Sequence, residues 1–337
     1  MTAPASVRYL SGFTGSNGWL LIGGGLNLLL TDARYRQQAA VEAPGYRVVV
    51  ASGSLVGALE QELAPEVGRI GFDPGSVSYA VWQQLTQAPS VEWVAAGDVV
   101  TAIRSAKDSV EITAIRSALI LAESVLVDVV NEIREGMTEL QIAARLDYEC
   151  RTRGASAMAF DTIVAAGANG ALPHARPGDS QVRAGDLLVV DFGCVVDGYC
   201  SDITRAVVVG SDVDDEWLEI HAAVDEARAA AIASISPGLA ATDVDRVARE
   251  CLTERGLGEY FSHSLGHGVG IEVHESPRLS ATSKDVLAAG MVVTVEPGVY
   301  LTGRGGLRLE DMVLVTERGG ERLNGLETAI LTSGGAA

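Results

Sequence analysis

Ala289-Gly290-Met291-Val292-Val293-Thr294-Val295-Glu296-Pro297-Gly298 reads as a turn, a buried strand and an acid at the strand's end. The same layout stands earlier as Ala184-Gly185-Asp186-Leu187-Leu188-Val189-Val190-Asp191-Phe192-Gly193. In both, Ala-Gly precedes an apolar run, and the acid falls six residues after that Gly and two before the next. An acid closing an apolar strand is poorly solvated and needs a partner. Each stretch is followed by a second acid ahead of another apolar run: Asp202 before Ile203 to Val209, and Glu310 before Met312 to Val315.

The duplication extends upstream. Gly136-Met137-Thr138 opens a helix-like segment that closes at Arg153-Gly154, and Gly238-Leu239-Ala240 opens one that closes at Arg255-Gly256, with the same Gly-to-Gly spacing of eighteen. Two similar halves can place their carboxylates around one pseudo-twofold axis. Asp191, Asp202, Glu296 and Glu310 would then face one another.

Histidine points to the same place. Three of the chain's five histidines fall in His263-Ser264-Leu265-Gly266-His267-Gly268-Val269-Gly270-Ile271-Glu272-Val273-His274-Glu275. A fourth, His174, lies in Leu172-Pro173-His174-Ala175-Arg176-Pro177. Histidine is the natural metal ligand and proton carrier near neutral pH. His221 stands apart, in Glu219-Ile220-His221-Ala222-Ala223, and reads as a helix-surface residue.

Four carboxylates resist ionising together in one dry pocket without cations. Two divalent metals would resolve this, with His267 as a fifth ligand. Oxygen-rich ligation with one histidine suits harder ions, so Mn2+ is favoured, with Co2+ or Zn2+ as substitutes. Such a pair can hold a hydroxide between the ions and clamp a tetrahedral intermediate. Taken singly, Asp191 and Asp202 can equally cap turns, and His274 can pack against a backbone carbonyl.

The His263–Glu275 segment, the two aspartates eleven apart, and Glu296-Pro297-Gly298 followed by Arg308-Leu309-Glu310-Asp311 resemble the pita-bread metallopeptidases. Within them the match is to the Xaa-Pro group, prolidase and aminopeptidase P. The resemblance implies an α/β (α+β) chain. Its C-terminal pita-bread catalytic domain, with pseudo-twofold duplicated halves, spans 108–337 behind a small creatinase-like α/β N-terminal domain over 1–107. It also implies Asp191, Asp202, His267, Glu296 and Glu310 as ligands of two divalent metals, with His174, His263 and His274 around the substrate and Arg308, two residues before Glu310, as a catalytic-site arginine behind the ligands. The implied activity is hydrolysis of the bond before proline by a hydroxide held between the metals, with Glu296 as general base. The tertiary amide nitrogen of proline must be protonated to leave. His274 is the first candidate to stabilise the oxyanion, with His174 beside the substrate backbone.

Dipeptides are the leading substrates, with longer Xaa-Pro peptides, cut by an aminopeptidase, as the alternative. Arg278, four residues after His274, can bind a terminal carboxylate through a bidentate fork, or it can be an exposed structural arginine. A non-catalytic binding protein on the same scaffold is the remote alternative, and the intact ligand set speaks against it. Methionine aminopeptidases usually lack such an N-terminal domain, and creatinase uses the fold without metals.

Bulk properties narrow the setting. A net charge of −19 argues against nucleic-acid or anionic-membrane partners. No apolar run approaches the roughly 20 residues of a membrane span. The start, Met1-Thr2-Ala3-Pro4-Ala5-Ser6, lacks a basic region leading into an apolar one. Cys150, Cys194, Cys200 and Cys251 show no C-x-x-C spacing and read as reduced thiols of a cytoplasmic protein. The family likeness adds an expected homodimer.

In the first hundred residues, Trp19–Ile22 and Leu28–Leu30 predict a hairpin through Gly23-Gly24-Gly25. Thr31-Asp32 starts a helix through Ala40, and Val48–Val50 and Ile70–Asp73 predict strands. Residues 102–108 form the expected junction, before a long amphipathic helix from Ser109 to about Arg134. Val7–Gly15 and Thr31–Tyr35 carry the creatinase-like resemblance. Relatives place a further helix and strand ahead of Val7, so this domain is expected to be shortened at its start. Arg34 and Arg36 read as helix-surface arginines, with contact to a substrate carboxylate as the sharper alternative.

Overall fold

A computed structural model describes residues 1–63, 68–87, 91–97, 99–210 and 213–334. The chain divides into two compact units, Met1–Arg104 and Ser105–Ala337.

The first unit is built on a three-stranded sheet of Gly18–Gly23, Leu26–Asp32 and Arg47–Ala51. The first two strands form the predicted hairpin, antiparallel with Trp19 opposite Leu30, and the third joins in parallel. Gly24 and Gly25 turn the chain at φ of 60° and 82°, where a side chain would be strained. Successive strand residues face opposite ways, so Leu28 and Leu30 pack with Leu55 and Leu59 on one face. Leu29 packs with Val7, Phe13 and Ala39 on the other. Asp32 caps a short 3-10 turn, Ala33–Tyr35, before the helix Arg36–Glu42. Arg34 pairs with Asp32 and is exposed.

The second unit opens with the long helix Ser109–Glu132. A capping box fixes its start: Asp108 accepts the Val110 and Glu111 N–H groups, and Glu111 accepts the Asp108 N–H. Its buried face, Ile115, Ala118, Leu119, Ala122, Leu126 and Val129, follows helical spacing.

The duplication read from the sequence is a duplication of sheets. In the first half, Ile163–Ala166, Leu187–Phe192 and Ile203–Val209 pair antiparallel in that order. In the second, Gly266–Gly268, Val292–Val295 and Asp311–Thr316 do the same. The matched helices Glu139–Thr152 and Ala241–Glu254 precede the two sheets. Leu188, Val190 and Phe192 pack into one core, whereas Leu187 belongs to a second core on the other face. The strands are therefore buried on both faces, and polar atoms emerge only near their ends.

Fully buried Arg205 ties the two halves together behind the acids. It donates to the Thr204 carbonyl at 2.9 Å, to the Glu310 carbonyl at 2.6 Å and to Asp311 Oδ1 at 2.8 Å. Asp311 also pairs with Arg228 and Arg322. In addition, the Glu310 N–H donates to the Thr204 carbonyl at 3.2 Å, so the strand after Asp202 meets the strand after Glu310. No disulfide links the four cysteines among the described residues. No helix is long and apolar enough to cross a membrane among them.

Candidate metal centre

Five strand ends converge. Asp191 lies on Leu187–Phe192 in register with Thr204, and Asp202 immediately precedes Ile203–Val209. Glu296 follows Val292–Val295, Glu310 precedes Asp311–Thr316, and His267 sits in Gly266–Gly268 beside them. Close packing at Gly266 leaves no choice of residue, because a Cβ there would fall 2.0 Å from the Thr294 carbonyl oxygen.

Ligand atoms of Asp202, His267 and Glu310 all lie within 4.8 Å of one another. His267 Nε2 is 3.4 Å from Glu296 Oε1 and 3.6 Å from Asp202 Oδ2. Nδ1 of the same ring is 3.1 Å from the Gly268 carbonyl, which can only accept. The proton therefore sits on Nδ1, and the Nε2 lone pair faces the carboxylates. Burial, then His274, lowers His267 to about 4, so the ring is neutral.

Asp191 completes the group. Its Oδ2 pairs with Arg308, while Oδ1 is buried with no hydrogen-bond partner. A buried carboxylate oxygen without a donor is costly. A cation among these acids would satisfy it, and a donor set of four carboxylates and one neutral imidazole fits divalent ions. Without cations the charges are suppressed: burial, then Glu310, Asp191 and Glu296, raises Asp202 well above its usual range. Burial, then Glu296 and Asp191, does the same to Glu310. Burial pushes Glu296 up to about 8, against the opposing pull of Arg308.

Arg308 is held from four sides, by Asp191, by Thr204 Oγ1 at 3.1 Å, by the Pro173 carbonyl at 3.1 Å and by the Tyr300 hydroxyl at 2.6 Å. Tyr300 in turn contacts His263 Nε2 at 2.9 Å. Thr204 Oγ1 donates to Glu310 Oε2 at 2.7 Å, and Thr294 Oγ1 lies 3.3 Å from Glu296 Oε1. Sequence reasoning missed Tyr300, Thr204 and Thr294. The threonines carried a readable signal, each standing on a strand two residues from the acid that flanks it. Tyr300 had none, since the strand Gly298–Leu301 folds back on Gly305–Arg308 to bring it to Arg308.

A cavity of about 970 Å³ opens over the acids, and His174, His263, His274 and Arg278 all line it. His274 stacks edge-on against His267, with ring centres 4.4 Å apart. His174, His274 and Arg278 are exposed. His221 belongs elsewhere and is not a plain surface residue: half-buried, it contacts the Thr328 carbonyl through Nε2 at 2.7 Å.

The sequence profile of metallopeptidase family M24 matches residues 113–317, and that of the creatinase/prolidase N-terminal domain matches residues 1–106. The chain belongs to metallopeptidase family M24. It is 41% identical over 271 residues to the Xaa-Pro dipeptidase of Pyrococcus furiosus, covering 80% of this chain and 77% of that one. It superimposes on the Xaa-Pro dipeptidase from Bacillus anthracis with a TM-score of 0.94 at 35% identity, over 98% and 93% of the two chains. With the X-Pro aminopeptidase from Thermotoga maritima the TM-score is 0.90 at 40% identity, over 98% and 94%.

Proposed function

We propose that this metallopeptidase is a prolidase, hydrolysing the peptide bond before proline in Xaa-Pro dipeptides, and that Asp191, Asp202, His267, Glu296 and Glu310 hold two divalent ions. The observation that carries the reading is the convergence of Asp202, His267 and Glu310 within 4.8 Å beside the unpartnered Oδ1 of Asp191. Mn2+ is the preferred ion on the hardness of the oxygen donors, ahead of Co2+ and Zn2+. When bound, the ions supply Lewis-acid polarisation and a water that is a nucleophile at neutral pH.

The chain's own groups do the rest. Glu296 accepts the proton of the attacking water on a carboxylate oxygen and passes it toward the proline nitrogen, which cannot leave unprotonated. His274 lies at the cavity wall against His267 and donates to the oxygen that gains charge at the scissile carbonyl. His174, which lines the same cavity, contacts the substrate backbone. Arg308 orients Asp191, and the Tyr300 hydroxyl joins it to His263.

Dipeptide preference is supported by the likeness to the Xaa-Pro dipeptidases of Pyrococcus furiosus and Bacillus anthracis and by Arg278 at the cavity wall. A second reading, release of the first residue from longer Xaa-Pro peptides, rests on the likeness to the Thermotoga aminopeptidase. We place the activity in a cytoplasmic homodimer, on the reduced thiols and on the family resemblance. The test is hydrolysis of Leu-Pro against Leu-Pro-Pro by Mn2+-loaded protein, with a chelated control. Cleavage of the dipeptide alone supports prolidase; preference for the tripeptide moves the assignment to aminopeptidase.

A further inference from the structure

Glu139 is a buried carboxylate, 1% exposed, that the chemistry above does not use. It stands at the first turn of the helix Glu139–Thr152, where the helix N-terminus favours negative charge. Its Oε1 accepts the Ala166 N–H at 2.8 Å and the Asn169 amide at 3.0 Å. Its Oε2 accepts the Gly178 N–H at 3.0 Å and the same amide at 2.9 Å. These donors bracket Leu172-Pro173-His174-Ala175-Arg176-Pro177, so one side chain holds both ends of the loop that carries His174.

The middle of the loop is anchored to the site itself. Arg308 donates to the Pro173 carbonyl at 3.1 Å, and a Cβ on Gly306 would meet the Gly170 carbonyl oxygen at 2.1 Å, which shows how closely the two backbones pack. The duplication supplies an internal comparison. Matching Gly238 to Gly136 puts Ala241 where the first half has Glu139, and Ala241 is equally buried in an intact helix. A helix at this place in the fold therefore does not require a carboxylate. The half that has one is the half with the His174 loop.

We propose that Glu139 is a positioning residue for peptide hydrolysis, closing both ends of the 166–178 loop so that His174 faces the cavity. The proposal rests on His174 acting at the substrate. Glu139→Gln keeps the size of the side chain but turns an amide donor toward an N–H that needs an acceptor. In the metal-loaded protein, faster amide exchange is expected over residues 166–178, with unchanged metal content. A loss of kcat/KM on Leu-Pro of about 10- to 100-fold is expected, the scale of a misplaced substrate-positioning group. Because Glu139 acts through His174, that loss should disappear in a His174→Ala background. Unchanged exchange in the loop, or the same loss in the His174→Ala background, would overturn the proposal. Should the Gln variant fail to fold, Asn169→Ala removes the loop's amide from the clamp and carries the same predictions at smaller size. If His174→Ala alone leaves turnover unchanged, the role of His174 fails, and amide exchange alone decides for or against the Glu139 clamp.

Discussion

The Tyr300 hydroxyl lies 2.9 Å from His263 Nε2 while it accepts a hydrogen bond from Arg308 at 2.6 Å. Arginine can only donate, so the hydroxyl proton points to Nε2. His263 then carries its proton on Nδ1, 2.8 Å from the Ser264 carbonyl. Burial, then Arg308, lowers this histidine to about 3, in keeping with a neutral ring. Tyr300→Phe breaks the link between His263 and Arg308 while leaving every carboxylate in place. The expected result is a 10- to 100-fold fall in kcat/KM, the usual cost of losing an orienting partner, with metal content unchanged. Full activity with a normal metal count would remove Tyr300 from the catalytic network.

Metal uptake should be proton-coupled. Asp202, Glu296 and Glu310 all sit above their ordinary range in the metal-free chain, so each holds a proton further into the neutral range than a free carboxyl would. Binding divalent ions must release those protons, and affinity should therefore rise with pH. The same shifts set the stability of the stripped protein. For Glu296 the folded value is about 8 against an ordinary 4.5, so the native state binds more protons than the unfolded state across that window. Its contribution is fully present below pH 4.5 and is lost as pH rises through about 8. The neutral histidines His263 and His267 have the opposite trend, so urea melts of stripped wild type and stripped Glu296→Gln at pH 5.5 and 8 would check this: an equal change with pH in the two proteins contradicts the assignment.

Asp311 is fully buried and faces Arg205, Arg228 and Arg322 together. Asp311→Asn leaves three guanidinium groups around a neutral amide, and breaking a buried ion pair costs about 3–5 kcal/mol. Because Arg205 also holds the Thr204 and Glu310 carbonyls, the variant should lose metal affinity as well as stability. A denaturation midpoint within error of wild type would contradict the network's role.

Arg278 offers a test of substrate length. Its backbone N–H is fixed by Asp285 at 2.9 Å, and the residue lines the cavity. Arg278→Ala should raise KM for Leu-Pro far more than for Leu-Pro-Pro, if the guanidinium reads the terminal carboxylate of a dipeptide. Equal effects on both peptides would take Arg278 out of the substrate site.

Much of this arrangement was legible in the sequence because it is local. An acid two residues before a glycine, at the end of an apolar run, needs only the strand period to be placed at a strand end. Repetition of that pattern then implied the matched sheets around Asp191 and Glu296. The less legible features depend on contacts far apart in the chain. Tyr300 reaches His263 across 37 residues, and Glu139 reaches Gly178 across 39. Arg205 meets the Glu310 carbonyl across 105. His221 read as a surface residue because its partner, the Thr328 carbonyl, lies 107 residues away. The long helix ends at Glu132, close to the expected Arg134, because helical periodicity marks the body of a helix better than its last turn.

The most direct test is a metal titration of the stripped chain, counting bound Mn2+ and measuring Leu-Pro hydrolysis on the same samples. Two ions per chain are expected, with hydrolysis absent from the chelated protein and restored as the sites fill. In Glu296→Gln the chain should fold but lose turnover by orders of magnitude. Saturation at a single ion, or hydrolysis that survives complete removal of metal, would contradict a dinuclear centre built from Asp191, Asp202, His267, Glu296 and Glu310.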